Sequence, residues 1–308
     1  MLKKIINNVE QVIVGKREAI ELVVTALISN GHILLEDVPG VGKTRLIAAV
    51  ARSIDGTFKR IQFTADVLPS DITGFSVYNQ KTGDFDFKKG AIMSQFVLAD
   101  EINRTSPKTQ AALLEAMEEK QISVDGVTYK MPQPFMVMAT QNPIEFMGTF
   151  SLPEAQLDRF LIKISIGYPD ADSERSVLSM HQMDDPFDSL QPVASTEDIV
   201  NIQEEVKKVF VHENLEKYIV SLVSATRNHP SVRLGASPRA SLALYRTAQA
   251  TAYIDGRDYV VPDDIQKMMI PVMAHRIILS QETKFSNTVA DDVLNEIKKA
   301  TPVPTGKK

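Results

Sequence analysis

The 308-residue chain reads as an α/β protein: a doubly wound parallel sheet of five strands followed by a smaller all-α domain. Three observations predict this. Short apolar runs at 33–35, 60–63, 94–99, 135–140 and 160–166 alternate with helical segments, the pattern of buried parallel strands. A Gly-rich stretch, EDVPGVGKT at 36–44, links the first run to a helix. Beyond Tyr168-Pro169-Asp170 only helical periodicity remains.

Each element follows in order. Residues 17–29 place Ile20, Val23, Val24, Leu27 and Ile28 on one helical face and stop at Asn30-Gly31, a C-terminal cap. A second helix runs from Lys43 to about Ile54. Residues 64–90 carry Pro69, Gly74, Gly83 and Gly90 and read as an insertion into the α/β layout. Ser106-Pro107 opens a helix whose core face is Leu113, Leu114 and Met117. Residues 121–134 alternate around Asp125-Gly126, a hairpin turn. The later helices are expected at 171–183, 196–209, 212–227, 238–253, 262–279 and 288–299, with Met268, Met269 and Met273 in the core. The domains are therefore expected at 1–168 and 169–308.

Composition excludes several chemistries. There is no Cys, hence no thiol nucleophile, thiolate metal site or disulfide. The five His (32, 181, 212, 229 and 275) lack metal-ligand spacing, and no GxSxG elbow occurs. With 34 Lys+Arg against 39 Asp+Glu, the net charge of −5 argues against binding nucleic acid by bulk charge. No run approaches a membrane-spanning length, and Asn7, Asn8, Glu10 and Gln11 interrupt any signal-peptide core. A cytoplasmic protein without membrane insertion is expected.

The 36–44 stretch reads as a phosphate site, the alternative being a helix-capping turn that happens to contain Gly-Lys-Thr. A Gly-rich turn converges backbone N–H groups on phosphate oxygens, and the following helix adds its positive end. Pro39, Gly40, Val41 and Gly42 would form the cradle, Lys43 would reach the β- and γ-phosphates, and the Thr44 hydroxyl would ligate Mg²⁺. Asp37 stands where the P-loop pattern has Gly. Further on, FVLADE at 96–101 is an apolar strand ending in two carboxylates, at the edge where doubly wound sheets bind ligands. Asp100 would hold Mg²⁺ through water and Glu101 would polarise the attacking water. The run at 135–140 ends in Gln141-Asn142-Pro143, which read alone is a simple turn.

In combination these residues resemble the MoxR family of AAA+ ATPases. The resemblance runs from about Val12 to Ile278 through VIVGKREAI (12–20), LLEDVPGVGKT (34–44), QFTADVLPSDITG (62–74), LADEINRTSPKTQAALLEAMEE (98–119), MATQNPIE (138–145), LPEAQLDRF (152–160), YPDADSER (168–175) and LGASPRA (234–240). It implies a P-loop NTPase core, an α-helical lid, ATP and Mg²⁺. It also implies roles by position. Val14 and Gly15 would line the adenine pocket, and Asn142 would be sensor 1. Arg159 would be the finger entering a neighbouring subunit's site, and Arg239 the sensor-2 arginine. Residues 64–90 would be the helix-2 insert and 121–134 the hairpin before sensor 1, both facing the pore of a ring. Gln62 or Thr64 would restrain Glu101.

Taken alone, Asp158-Arg159 reads as a surface ion pair and Arg239 as an exposed residue in a helix's first turn. The implied function is ATP hydrolysis by a homo-oligomer, expected as a hexamer, with a chaperone-like remodelling or metal-cofactor-insertion role. A protein client and a partner bearing a von Willebrand factor A domain are implied with it. The alternatives are a nucleic-acid-dependent, helicase-like ring motor, disfavoured by net acidity and the absence of Trp, and a nucleotide-controlled adaptor, disfavoured by Glu101.

Overall fold

The computed structural model describes residues 1–38, 40–141, 149–180, 185–285 and 287–304. Helices α1 (Leu2–Glu10) and α2 (Arg17–Ile28) lead into β1 (Ile33–Glu36), then α3 (Lys43–Ser53) and β2 (Phe58–Gln62). Next come α4 (Pro69–Thr73), β3 (Gly74–Asn79), β4 (Asp84–Lys89), β5 (Phe96–Asp100) and α5 (Pro107–Glu119). They are followed by β6 (Gln121–Val124), β7 (Val127–Lys130), β8 (Met136–Gln141), α6 (Glu154–Leu157) and β9 (Ile162–Ile164). The rest comprises α7 (Ala171–Met180), α8 (Pro186–Ser189), α9 (Thr196–Val206), α10 (Glu213–Arg227), β10 (Val232–Leu234) and α11 (Pro238–Ile254). It ends with α12 (Pro262–Met273), β11 (Ile278–Leu279), α13 (Gln281–Phe285) and α14 (Ala290–Ala300).

The five expected strands form one sheet in the order β2-β5-β8-β1-β9. Pairing is parallel between β2 and β5, β5 and β8, and β8 and β1. The central strands are buried on both faces, which is why Val97-Leu98-Ala99 and Met136 to Ala139 are unbroken apolar runs. Strand β2 departs from the reading of a fully buried strand. It lies at the sheet edge with Lys59, Arg60 and Gln62 exposed and only Ile61 buried. Period-2 alternation therefore puts Arg60 and Gln62 on the same face.

Both expected irregular stretches are hairpins. The 64–90 insertion holds the β3–β4 pair. In the β6–β7 pair, Asp125 and Gly126 take φ of 51° and 80°, the left-handed geometry that matches strand twist. Phe87 stacks on Tyr129 with ring centroids 4.1 Å apart, tying one hairpin to the other.

Two compact units divide the chain elsewhere than near residue 168. One comprises 1–152 with 164–200, the other 153–163 with 201–308. Packing explains the difference. Within the first unit, Asn8 donates its side-chain N–H to the Gln191 carbonyl, and Val193 N–H donates to Ser53 O. Within the second, the buried Arg276 guanidinium donates to the Leu161 carbonyl at 3.0 Å and to that of Phe160. Charge-assisted bonds from one buried cation thus bind the 153–163 segment to residues far along the chain.

The second unit is helical but carries one antiparallel ribbon, β10–β11. The expected helix 262–279 stops at Met273, and Ile278-Leu279 forms a strand instead. Met268, Met269 and Met273 are fully buried, as expected of core residues. Asp264 joins two elements there, capping the Val261 N–H at 2.8 Å and pairing with Arg257 at 2.6 Å.

His32 makes the first unit acid-sensitive. Its buried ring accepts the Val137 N–H at Nδ1 and donates from Nε2 to the Met117 carbonyl, both at 3.0 Å. Burial pushes its pKa down to about 4. The unfolded chain therefore binds a proton between pH 6.5 and 4 that the folded protein does not, so stability falls as pH falls through that window. The loss amounts to about 3 kcal/mol by pH 4. In the second unit, His275 is pushed down by burial and by Arg276, and acts in the same direction. Urea midpoints measured from pH 7 to 4.5 should drop, and His32→Gln should flatten that slope. An unchanged slope in the variant would refute the assignment.

Candidate functional site

The Gly-rich turn follows β1 and ends at the first turn of α3. Gly40 and Gly42 have φ of 87° and 88°, a region that side chains with a Cβ rarely adopt, and Gly42 is the N-cap of α3. No acidic residue occupies that first turn, so its N–H groups and positive dipole end remain suited to an anion. Lys43 donates from Nζ to the Asp37 carbonyl at 2.7 Å. Burial lowers the Lys43 pKa, opposed by the nearby Asp37, Asp100 and Glu101 charges. Pro39 lies outside the described residues.

Asp37 has a structural task. Its buried carboxylate accepts the Ser165 hydroxyl at 3.0 Å, the Gly167 N–H at 3.1 Å and the Ile166 N–H. The side chain that stands in place of a loop glycine therefore turns away from the phosphate cradle and ties the end of β1 to the chain leaving β9.

The carboxyl edges of β1, β2, β5 and β8 border one open cleft of about 390 Å³, lined by Gly40, Gly42, Lys43, Thr44, Arg45, Arg60, Gln62, Asp100, Glu101 and Thr140. Two of these edges explain how Asp100 and Glu101 are held. Thr140, at the end of β8, donates its hydroxyl to Asp100 Oδ1 at 2.7 Å and accepts the Glu101 N–H at 2.8 Å. Glu101 itself has φ 57° and ψ 50°, a left-handed conformation unusual for a side-chain-bearing residue and typical of strained functional positions. The Gln62 side chain donates from Nε2 to Glu101 Oε2 at 2.8 Å, and Arg104 approaches the same oxygen at 3.4 Å. The expected restraint on Glu101 is thus made by Gln62; the Thr64 hydroxyl turns to Asp66 instead, at 2.5 Å.

Other residues singled out in the sequence fall as follows. Gly15 has φ 72°, and a Cβ there would lie 2.1 Å from Ser173 Oγ, so packing requires the glycine. Ile13, two residues earlier, lies 4.0 Å from where a Cβ on Gly42 would stand, which runs the Val14-Gly15 segment past the cradle. Asn142 lies outside the described residues. Arg159 and Arg239 both belong to the second unit, where Ser237 caps α11 by accepting the Arg239 N–H at 3.1 Å. The carboxylate of Asp158, the neighbour of Arg159, is taken by Arg276 Nε at 2.8 Å and by the Ser237 hydroxyl at 2.8 Å. Its main partner is therefore a buried arginine 118 residues away.

Sequence reasoning missed Arg60, Thr140 and Arg276. The first had a signal, since Arg-Ile-Gln-Phe alternates polar and apolar and so places Arg60 beside Gln62. The other two had none, because their partners lie on other elements.

Comparison with known proteins agrees with this geometry. The model for the ATPase family associated with various cellular activities (AAA) matches residues 32–162, and the AAA lid domain matches 224–297. YeaC of Bacillus subtilis (strain 168) is 52% identical over 304 residues, covering 99% of this chain and 95% of that one. Chaperone MoxR1 of Mycobacterium tuberculosis is 42% identical, covering 98% and 82%. A solved structure of a candidate ATPase from Cytophaga hutchinsonii superposes with a TM-score of 0.92 at 41% identity, covering 98% of this chain and 94% of that one. The phosphate cradle, the paired carboxylates and these full-length similarities place the chain in the MoxR family of AAA+ ATPases, and its activity is ATP hydrolysis.

Proposed function

We propose that this ATPase assembles into a ring, hexameric by family resemblance, and spends ATP on chaperone-like remodelling of a protein client. The observation that carries the reading is the single cleft that gathers Lys43, Thr44, Asp100 and Glu101 at the carboxyl edge of the sheet. The cradle and Lys43 bind the triphosphate, and Glu101 orients water against it. Val14 and Gly15 face the adenine, Asn142 serves as sensor 1, and Arg239 senses the γ-phosphate from the lid.

The donors present fit magnesium. A hydroxyl and a carboxylate line the same cleft, and no cluster of three or more His, Cys, Asp or Glu among the described residues offers a protein-only cage. That is the pattern for an ion held mainly by phosphates and water, which the Thr44 hydroxyl would ligate and Asp100 would hold through water. Bound there, magnesium would neutralise charge on the phosphates.

The remodelling role draws on the name of the mycobacterial relative, a chaperone. A von Willebrand factor A domain partner and a metal-cofactor-insertion role follow from the family resemblance alone. A cytoplasmic location is compatible with the described residues, in which no helix is long and apolar enough to cross a membrane. Among those residues nothing favours the nucleic-acid-motor alternative.

The test is Lys43→Ala. Calorimetry with Mg²⁺ and ATP should show tight binding in the native chain and its loss in the variant, because Lys43 stands at the first turn of α3 beside the glycines of the cradle, where a P-loop lysine meets the phosphates. Unchanged ATP binding in Lys43→Ala would remove the cleft as the nucleotide site.

A further inference from the structure

One cation in the cleft has no part in the reading above. Arg60 lies two residues before Gln62 on edge strand β2, and β2 pairs with β5 so that Gln62 stands opposite Asp100. Its guanidinium donates to Asp100 Oδ2 twice, from Nη2 at 2.6 Å and from Nε at 3.2 Å. The same Nη2 donates its other proton to Gln62 Oε1 at 2.7 Å. Gln62 then donates from Nε2 to Glu101 Oε2. One arginine thus connects both carboxylates of the cleft.

The donor and acceptor inventory shows what this connection does. A glutamine amide can present either its oxygen or its nitrogen to a neighbour. With Oε1 committed to Arg60, only the Nε2 end can face Glu101, where it attracts the carboxylate. Without Arg60 the amide is free to turn, and its oxygen would repel Glu101. Arg60 therefore sets the sense of the Gln62–Glu101 contact without touching Glu101.

Asp100 shows the second consequence. Oδ1 already accepts the Thr140 hydroxyl, and both lone-pair positions of Oδ2 are filled by Arg60. A hydrated dication approaching Asp100 must compete for these sites and is repelled by the guanidinium as well. The pair is open to water, with the Arg60 side chain 48% exposed and that of Asp100 15%. Ion pairs this exposed are weak enough to exchange.

We propose that Arg60 is a positioning residue that couples arrival of the metal–nucleotide at Asp100 to release of Glu101. Displacement of the guanidinium from Oδ2 removes the acceptor lock on Gln62, the amide turns, and Glu101 swings toward the water it activates. The proposal rests on the cleft being the Mg·ATP site, and it adds an order of events within it.

Three variants and a fluorescent ATP analogue test it. The probe is titrated onto the intact chain in EDTA, and then with increasing Mg²⁺ at fixed nucleotide. Arg60→Met keeps the aliphatic length and removes the charge on an exposed edge strand. It should lower the Mg²⁺ concentration for half-maximal binding about tenfold, with affinity in EDTA unchanged. Arg60→Lys keeps the charge and should stay close to the native Mg²⁺ requirement. Gln62→Leu should leave that requirement unaltered, since it acts downstream of Asp100.

Weaker nucleotide binding by Arg60→Met in EDTA would make Arg60 a phosphate ligand and overturn the proposal. An identical Mg²⁺ requirement in Arg60→Met and the native chain would overturn it too, while leaving the nucleotide site intact. Failure of the native chain to bind the probe at all would overturn both. Circular dichroism of each variant keeps misfolding apart from these outcomes.

Discussion

Replacing Glu101 by Gln is expected to leave ATP bound while lowering turnover by about 10²–10⁴, the range over which a positioned general base acts. The geometry favours so clean a separation. The backbone of Glu101 is held in its left-handed conformation by the Thr140 hydroxyl, which accepts the main-chain N–H and is indifferent to the side chain. Glutamine is nearly isosteric and keeps an oxygen for the Gln62 amide to bond. What it loses is basicity toward water and the attraction of Arg104, which stands 3.4 Å from Oε2. Steady-state turnover alongside calorimetric affinity would measure both. A variant that hydrolyses ATP at the native rate would remove Glu101 from the chemistry, whereas one that loses ATP binding would mean that the carboxylate instead holds the cradle in shape.

How much of this was visible in the residues depends on the range of the interactions. The five sheet strands, the hairpin at Asp125-Gly126 and the capped helix at Ser106 each rest on local rules, and these elements appear where those rules place them, whereas the 64–90 insertion did not announce the hairpin it holds. The cleft was legible because both of its motifs end strands at the same sheet edge. Local pattern could not reach the rest. Strand β2 reads as buried from Ile61 and Phe63 alone; its edge position depends on strand order, which no window of the chain contains. The domain division near 168 followed a change of periodicity, whereas the compact units follow contacts such as Arg276 with the carbonyls of 160 and 161. Asp37 is the plainest case. As a residue type it breaks the loop pattern; only the N–H groups of Ile166 and Gly167, some 130 positions on, explain why a carboxylate is retained there.

Removing the Arg159 guanidinium should have an effect of comparable size, but by a route that one isolated chain cannot show. A finger arginine is worth about 10³–10⁵ in turnover where it stabilises the charge of phosphoryl transfer, so Arg159→Ala should lose at least about 10². The effect should fall on turnover far more than on ATP affinity. The scaffold around the residue is suited to holding it. Asp158 is anchored by Arg276 and Ser237, Arg276 is itself buried, and the Arg159 N–H closes on the Gln156 carbonyl at 3.2 Å. Replacing the side chain alone leaves those bonds in place, so a folding defect is not expected to imitate the loss.

The arrangement in trans has a quantitative signature. In the proposed ring, with Arg159 as the proposed finger, each site would draw Glu101 from one subunit and Arg159 from the next. Mixing equal amounts of Arg159→Ala and Glu101→Gln chains, each nearly inactive, should therefore restore about a quarter of native turnover per site, since random assembly gives that share of competent pairs. If the mixture stays as inactive as its components while the two chains demonstrably co-assemble, Arg159 acts on its own subunit's nucleotide or serves the scaffold. Full native turnover at a dilution where sedimentation shows only monomer would exclude the shared site altogether.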